Sequence, residues 1–200
     1  MRSPDRQRTK NIGVQLDWGS GRLSGSTVQT VSPKLGQIRA IFRDLERAEQ
    51  MDPDIVVYQV QFWLPVMEGT EGGLFWGMTT VEPGKVGDEY FMTHGHFHQR
   101  RDRAEIYVTL RGEGALILMS EASRTWVDYM GQGTVNYIPG RTAHRVANIG
   151  EVPLVFAGCW PSDAGHDYEA IRSKGFSSRL REVDGQPVLV TESPNESLGD

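Results

Sequence analysis

The chain has 200 residues, of which 38% are hydrophobic and 24% charged, and a formal net charge of -5. That is enough apolar matter for one buried core and too much for a disordered chain, while the acidic balance argues against a general nucleic-acid binder. The single cysteine excludes an internal disulfide; with no apolar leader and no membrane-length apolar run, it points to a protein of the reducing cytoplasm that neither enters nor spans a membrane.

Residues 1–52 read as an N-terminal arm and helix packing on the main body. The arm, residues 1–31, is polar and rich in glycine, and its Trp18 needs cover from the domain or from a partner chain. Ser32 and Pro33 suit the cap and first position of a helix. Leu35, Ile38, Ile41, Phe42, Leu45 and Ala48 then recur at helical spacing, and Asp52-Pro53 ends the pattern. From Ile55 the pattern becomes β-branched and aromatic, and Tyr58, Phe62 and Trp63 read as an exposed aromatic set that, with the arm, would serve a dimer contact. Runs at 55–64, 74–81, 89–93, 104–110, 114–119, 125–129, 134–138, 144–149 and 153–160 are separated by turn residues. Short strands at this spacing predict an all-β barrel or sandwich over residues 53–162. Residues 163–200 would add a short helix, Tyr168–Lys174, ended by Gly175, an edge strand at 187–191 and a polar tail. Cys159 lies in an apolar strand run and reads as core packing rather than a nucleophile.

All five histidines fall between positions 94 and 166. His96 and His98 are two apart, so an extended backbone points both imidazoles to one side. Glu105 opens the next apolar run, and His144 follows the Pro139-Gly140 turn. Three imidazoles and a carboxylate suit a divalent first-row cation with positions left open for water or substrate. The ordinary readings are buried barrel histidines for His96 and His98, a salt bridge to Arg101 or Arg103 for Glu105, and a core aromatic for Tyr107. Arg100-Arg101-Asp102-Arg103 reads as a solvated loop, with substrate steering as the alternative.

His96-x-His98, Glu105 and Gly112, followed by Gly133, Pro139, His144 and Asn148, resemble the two ordered motifs of the cupin superfamily. The resemblance implies an all-β cupin double-stranded β-helix, a jelly-roll barrel with a metal in its mouth. The loop between His98 and Glu105 is longer than is usual for cupins, and Gly140 directly follows Pro139. The segments from Thr93 to His98, Asp102 to Tyr107, Ala143 to Arg145 and Asp163 to Tyr168 are similar to the cupin-type, or archaeal-type, phosphoglucose isomerases. That resemblance implies dimers, one divalent metal per subunit, and interconversion of glucose 6-phosphate and fructose 6-phosphate in glycolysis and gluconeogenesis. It assigns His96, His98, Glu105 and His144 as metal ligands, Fe2+ being the leading ion with Mn2+, Zn2+ or Ni2+ as others. Thr79, Thr93, Gly95 and Tyr168 would hold the phosphate, and Tyr107 and His166 would line the sugar. Glu105 would move the proton between C1 and C2, with a hydride shift as the rival. His94 and Trp160 depart from the lysine and tyrosine common in that family. Other readings of such a site are an isomerase or epimerase of another sugar phosphate, an Fe(II) dioxygenase, or a binding protein without turnover.

Overall fold

The structure, a computed structural model, describes residues 13–172 and 175–191. The arm opens with a hairpin of β1 (Gln15–Asp17) and β2 (Arg22–Ser24), then β3 (Gln29–Val31). Two short helices follow, α1 (Leu35–Ile38) and α2 (Leu45–Gln50), joined through a 3-10 turn at Arg39–Ile41. The body consists of β4 (Tyr58–Trp63), β5 (Leu74–Val81), β6 (Lys85–Val86), β7 (Glu89–Tyr90), β8 (Glu105–Arg111), β9 (Glu113–Ser120), β10 (Thr125–Gly131), β11 (Val135–Ile138), β12 (Thr142–Asn148) and β13 (Leu154–Pro161). The described part ends with α3 (Glu169–Arg172), β14 (Ser178–Val183) and β15 (Gln186–Thr191).

Antiparallel pairing gives a six-stranded sheet, β11-β8-β13-β5-β4-β3, and a three-stranded sheet, β10-β9-β12. Together they make the all-β cupin barrel. On the large sheet, alternation turns Tyr58, Phe62, Tyr107, Phe156 and Trp160 into the barrel mouth. The opposite face carries Met78, Val155 and Ala157, which the arm hairpin covers through Leu23. On the small sheet, β9 reads as a continuous apolar run, Ala115–Met119, because both its faces are buried. Its outer face, at Ile117, lies under Phe176 and Leu180.

The expected strands recur close to their predicted positions, but several details differ. The helix predicted from Ser32 to Asp52 is broken. Lys34, not Ser32, is the first cap, and the Ser32 hydroxyl instead accepts from Gln59. Phe42 is extended, and the buried carboxylate of Glu89 accepts the backbone N–H of Arg43, drawing it out of helical register. Asp44 then caps α2 through the Arg47 N–H at 2.9 Å. The His96–His98 segment is not a full strand; it joins the sheet only by single bridges, including His96 to His144. Strand β14 had no counterpart among the predicted elements. The Asp184-Gly185 dipeptide, with φ of 51° and 75°, makes the tight turn that pairs it with β15. The last predicted helix is realised as α3, and residues 173–174 lie outside the described residues. Trp18 remains 71% exposed, so no part of the described chain covers it.

Candidate metal centre and active site

His96 and His98 sit on the loop between β7 and β8, Glu105 begins β8, and His144 lies in β12. Their donor atoms meet. One carboxylate oxygen, Oε2 of Glu105, lies 3.2 Å from Nε2 of His98 and 3.2 Å from Nε2 of His144. The donor atoms of the three histidines all lie within 4.8 Å of one another. Backbone carbonyls set the rings. Nδ1–H of His98 donates to the Arg103 carbonyl at 2.9 Å, and Nδ1–H of His144 to that of Thr142 at 3.3 Å. This turns an Nε2 of each ring towards the shared point. Nε2 of His96 and of His144 is buried without a hydrogen-bond partner. The short His144–Glu105 approach therefore brings a nitrogen lone pair near an anionic oxygen, an arrangement that costs energy unless positive charge sits between them.

Charge in the pocket follows from these contacts. Burial alone would raise the Glu105 carboxyl, but its close contacts with the His144 and His98 imidazoles outweigh it and hold the pKa at about 2. Burial, and then the neighbouring imidazoles of His144, His166 and His98, hold His96 well below its ordinary value. For His98, burial pulls downward, yet the hydrogen bond and charge of Glu105 leave it raised. Tyr107 is raised well above its ordinary value by burial and then by Glu105, so its phenol keeps its proton and can donate. A carboxylate anion beside neutral imidazole lone pairs is a donor set for a divalent cation, so the residues fit the metal that the motifs imply.

Of these four residues, His96 and Glu105 line a cavity of about 330 Å³ at the barrel mouth. Thr79, Thr93, Tyr107, His166 and Tyr168, all expected at the site, line it. Gly95, also expected there, is buried between His94 and His96 but is not among the residues lining the cavity; a Cβ on it would come within 2.7 Å of the Phe176 ring. His166 and Tyr168 stack in parallel, with 5.9 Å between centroids and 7° between planes. His94 packs on the other side of this group, 4.9 Å from Tyr168. Burial, then the charges of Arg145 and Arg172, keep His94 below its usual basicity. Tyr58 accepts the His94 N–H at 3.4 Å, and burial pushes its phenol up to about 12. Tyr58, Phe62 and Trp63 do not form the exposed set expected from the strand pattern. Instead Tyr58 and Phe62 turn into the cavity, and Trp63 packs beneath the arm hairpin. The alternation of Tyr58, Val60 and Phe62 was the signal that could have assigned them to one face. Gly158 completes the wall, because a Cβ there would meet the Tyr107 ring at 3.0 Å and Glu105 Oε1 at 3.1 Å.

Arg100 and Asp102 are exposed, as a solvated loop would be, but the arginines of the run are also tied down by ion pairs. Arg103 makes a two-pronged contact with Asp163, 2.9 Å on each prong, and Arg100 reaches the same carboxylate. Arg101 lies 4.4 Å over the Phe97 ring, donates to the His98 carbonyl at 3.0 Å, and pairs with Asp167. Phe97 and Asp167 also exchange backbone hydrogen bonds. The loop that carries His96 and His98 is thus tied to the segment that carries His166 and Tyr168. Replacing Asp163 with Ala should free that segment and lower kcat/KM by about tenfold or more, since misplacement of about 1 Å has such costs. Unchanged kinetics with unchanged hydrogen exchange at 164–168 would remove Asp163 from this role.

Residues 35–194 match the family model described as glucose-6-phosphate isomerase (GPI). Proteins named glucose-6-phosphate isomerase in Pyrococcus horikoshii and Pyrococcus furiosus are similar to the chain. The first is 40% identical over 188 residues, covering 92% of this chain and 95% of that one. The second is 42% identical over 189 residues, with the same coverage of 92% and 95%. The matched residues span the barrel, both histidine motifs and the Asp163–Tyr168 segment rather than one short stretch, and the chain belongs to the cupin-type glucose-6-phosphate isomerase family.

Proposed function

We propose that this chain interconverts glucose 6-phosphate and fructose 6-phosphate and depends on one divalent cation held by His96, His98, Glu105 and His144. The observation that carries the reading is the convergence of His98, His144 and Glu105 on one point, beside His96, at a cavity the size of a small-ligand site. Fe2+ is the leading ion for three imidazoles and a carboxylate, with Mn2+, Zn2+ and Ni2+ as the others to test. Bound there, a divalent cation would supply Lewis acidity to the C1 and C2 oxygens of the open-chain sugar.

The chain's own groups would do the rest. Glu105, kept ionised by its imidazole neighbours, takes the proton from C2 of the aldose and returns it to C1. Oε2 faces the histidines and Oε1 lies near Gly158, so one oxygen remains for the proton. Tyr107 donates its phenol hydrogen towards a substrate oxygen, and His166 lines the same stretch of the sugar. For the phosphate, Thr79 and Tyr168 offer hydroxyls at the cavity, and Gly95, next to Thr93 and His94, would offer its backbone amide. The Thr93 hydroxyl oxygen accepts from Val146 N–H at 3.0 Å, so its own hydrogen is free to donate to phosphate.

We read the protein as a cytoplasmic homodimer. Ile106, Val135 and Tyr137 form an exposed apolar group on the outer face of the large sheet, with 44%, 67% and 61% exposure, and Trp18 on the arm also lacks cover. No described helix is long and apolar enough to cross a membrane. The test is a coupled assay of fructose 6-phosphate conversion to glucose 6-phosphate, before and after complete chelation, with each metal restored separately. Turnover should vanish on chelation and return best with Fe2+. Full activity in metal-free protein would overturn the metal-dependent reading.

A further inference from the structure

Arg145 stands back to back with His144. Adjacent residues of a strand face opposite ways, so Arg145 leaves the barrel interior and lies against Phe176, Ile117 and Leu180. It is only 7% exposed. Its guanidinium lies 4.0 Å from the Phe176 ring centroid, Nη1 contacts the Met92 sulfur at 3.1 Å, and Nε is buried without a hydrogen-bond partner. Among the described residues, no carboxylate forms an ion pair with it. The carboxylate in the same pocket, Glu89, gives Oε1 to Arg179 at 2.9 Å and Oε2 to the backbone N–H of Arg43. A buried cation without a direct counter-charge is costly, and such a group generally persists where an anion completes it.

The segment in front of Arg145 is the one assigned to phosphate. Thr93 N–H donates to the Val146 carbonyl at 2.9 Å, and His96 N–H to the His144 carbonyl at 3.2 Å, so Thr93–His96 is laid directly on β12. Gly95 rests on Arg145 itself: a Cβ on Gly95 would lie 3.1 Å from the Arg145 Cβ. The same segment presents Thr93 and His94 to the cavity. We infer that Arg145 is a positioning residue for the phosphate group: its buried charge makes the Thr93–Gly95 loop attractive to a dianion, and its stack on Phe176 holds Gly95 against the cavity. This rests on the reading of Thr93–Gly95 as the phosphate grip. In a low-dielectric interior a charge behind one layer of backbone acts strongly and is little screened by salt.

The test measures inorganic phosphate binding, KM, kcat and metal content for the unsubstituted protein, Arg145→Met and Arg145→Lys. The methionine variant should bind inorganic phosphate about tenfold or more weakly and raise KM for the sugar phosphate. Its turnover at saturation should change far less, and its metal content should stay level. The lysine variant, which keeps the charge, should recover most of the phosphate affinity. A folded, metal-loaded methionine variant with phosphate affinity within about twofold of the unsubstituted protein overturns the role of Arg145. If the methionine variant does not fold, the lysine variant decides. Affinity kept within about threefold supports the role, and a tenfold loss with metal intact overturns it. No measurable phosphate binding by the unsubstituted protein would break the reading of the Thr93–Gly95 grip itself, a different failure from phosphate binding that ignores Arg145.

Discussion

Replacing Glu105 with Gln should reduce turnover by about a thousandfold, within the range of roughly 10²–10⁴ that a positioned acid–base group supplies. The amide keeps the shape of the side chain but can neither take the proton from C2 nor carry negative charge beside His98 and His144. The effect should fall mainly on kcat, because in the proposed mode sugar-phosphate binding would draw on Thr79, Thr93, Gly95 and Tyr168 rather than on Glu105. Stopped assays over a range of substrate concentrations separate the two parameters, and metal analysis of the same preparation shows how much of the loss follows the cation. A Glu105→Gln enzyme with normal kcat would remove Glu105 from proton transfer.

His144→Ala should weaken metal retention by about a hundredfold or more. Loss of an outer partner of a ligand already costs roughly 10–100-fold, and His144 would be a ligand itself. The substitution also empties space at a residue that is 1% exposed and takes away one of the two imidazole contacts that keep Glu105 acidic. Metal analysis after gel filtration and thermal melts with and without added Fe2+ read both effects. The unsubstituted protein should gain melting temperature on metal addition and the variant should gain much less. Equal metal content in both proteins would break the four-donor site.

Much of the barrel was readable from local pattern. Period-two alternation and turn residues placed β5, β8, β9 and β13 close to their observed bounds, because those strands are bracketed by Gly, Pro and Asp and carry β-branched or apolar cores. The helix was misread because its apolar spacing continued through Phe42 while a remote carboxylate, Glu89, captured the Arg43 N–H. Strand β14 was missed because Arg179, Arg181 and Glu182 interrupt its apolar pattern, and Asp184-Gly185 was its clearest mark. The exposed reading of Tyr58 and Phe62 failed for another reason. Alternation tells which residues share a face, but whether that face meets solvent or lines a cavity depends on strands far away in the chain.

The types and spacing of His96, His98, Glu105 and His144 were enough to mark a cation site, since ligand chemistry is a property of the side chains themselves. Their convergence on one point was a matter of sheet pairing, as was the use of Arg103 and Asp163 as a tie between two loops. So was the burial of Arg145 behind Gly95. Those relations join residues dozens of positions apart, and a local pattern carries no record of which distant backbone will lie alongside it.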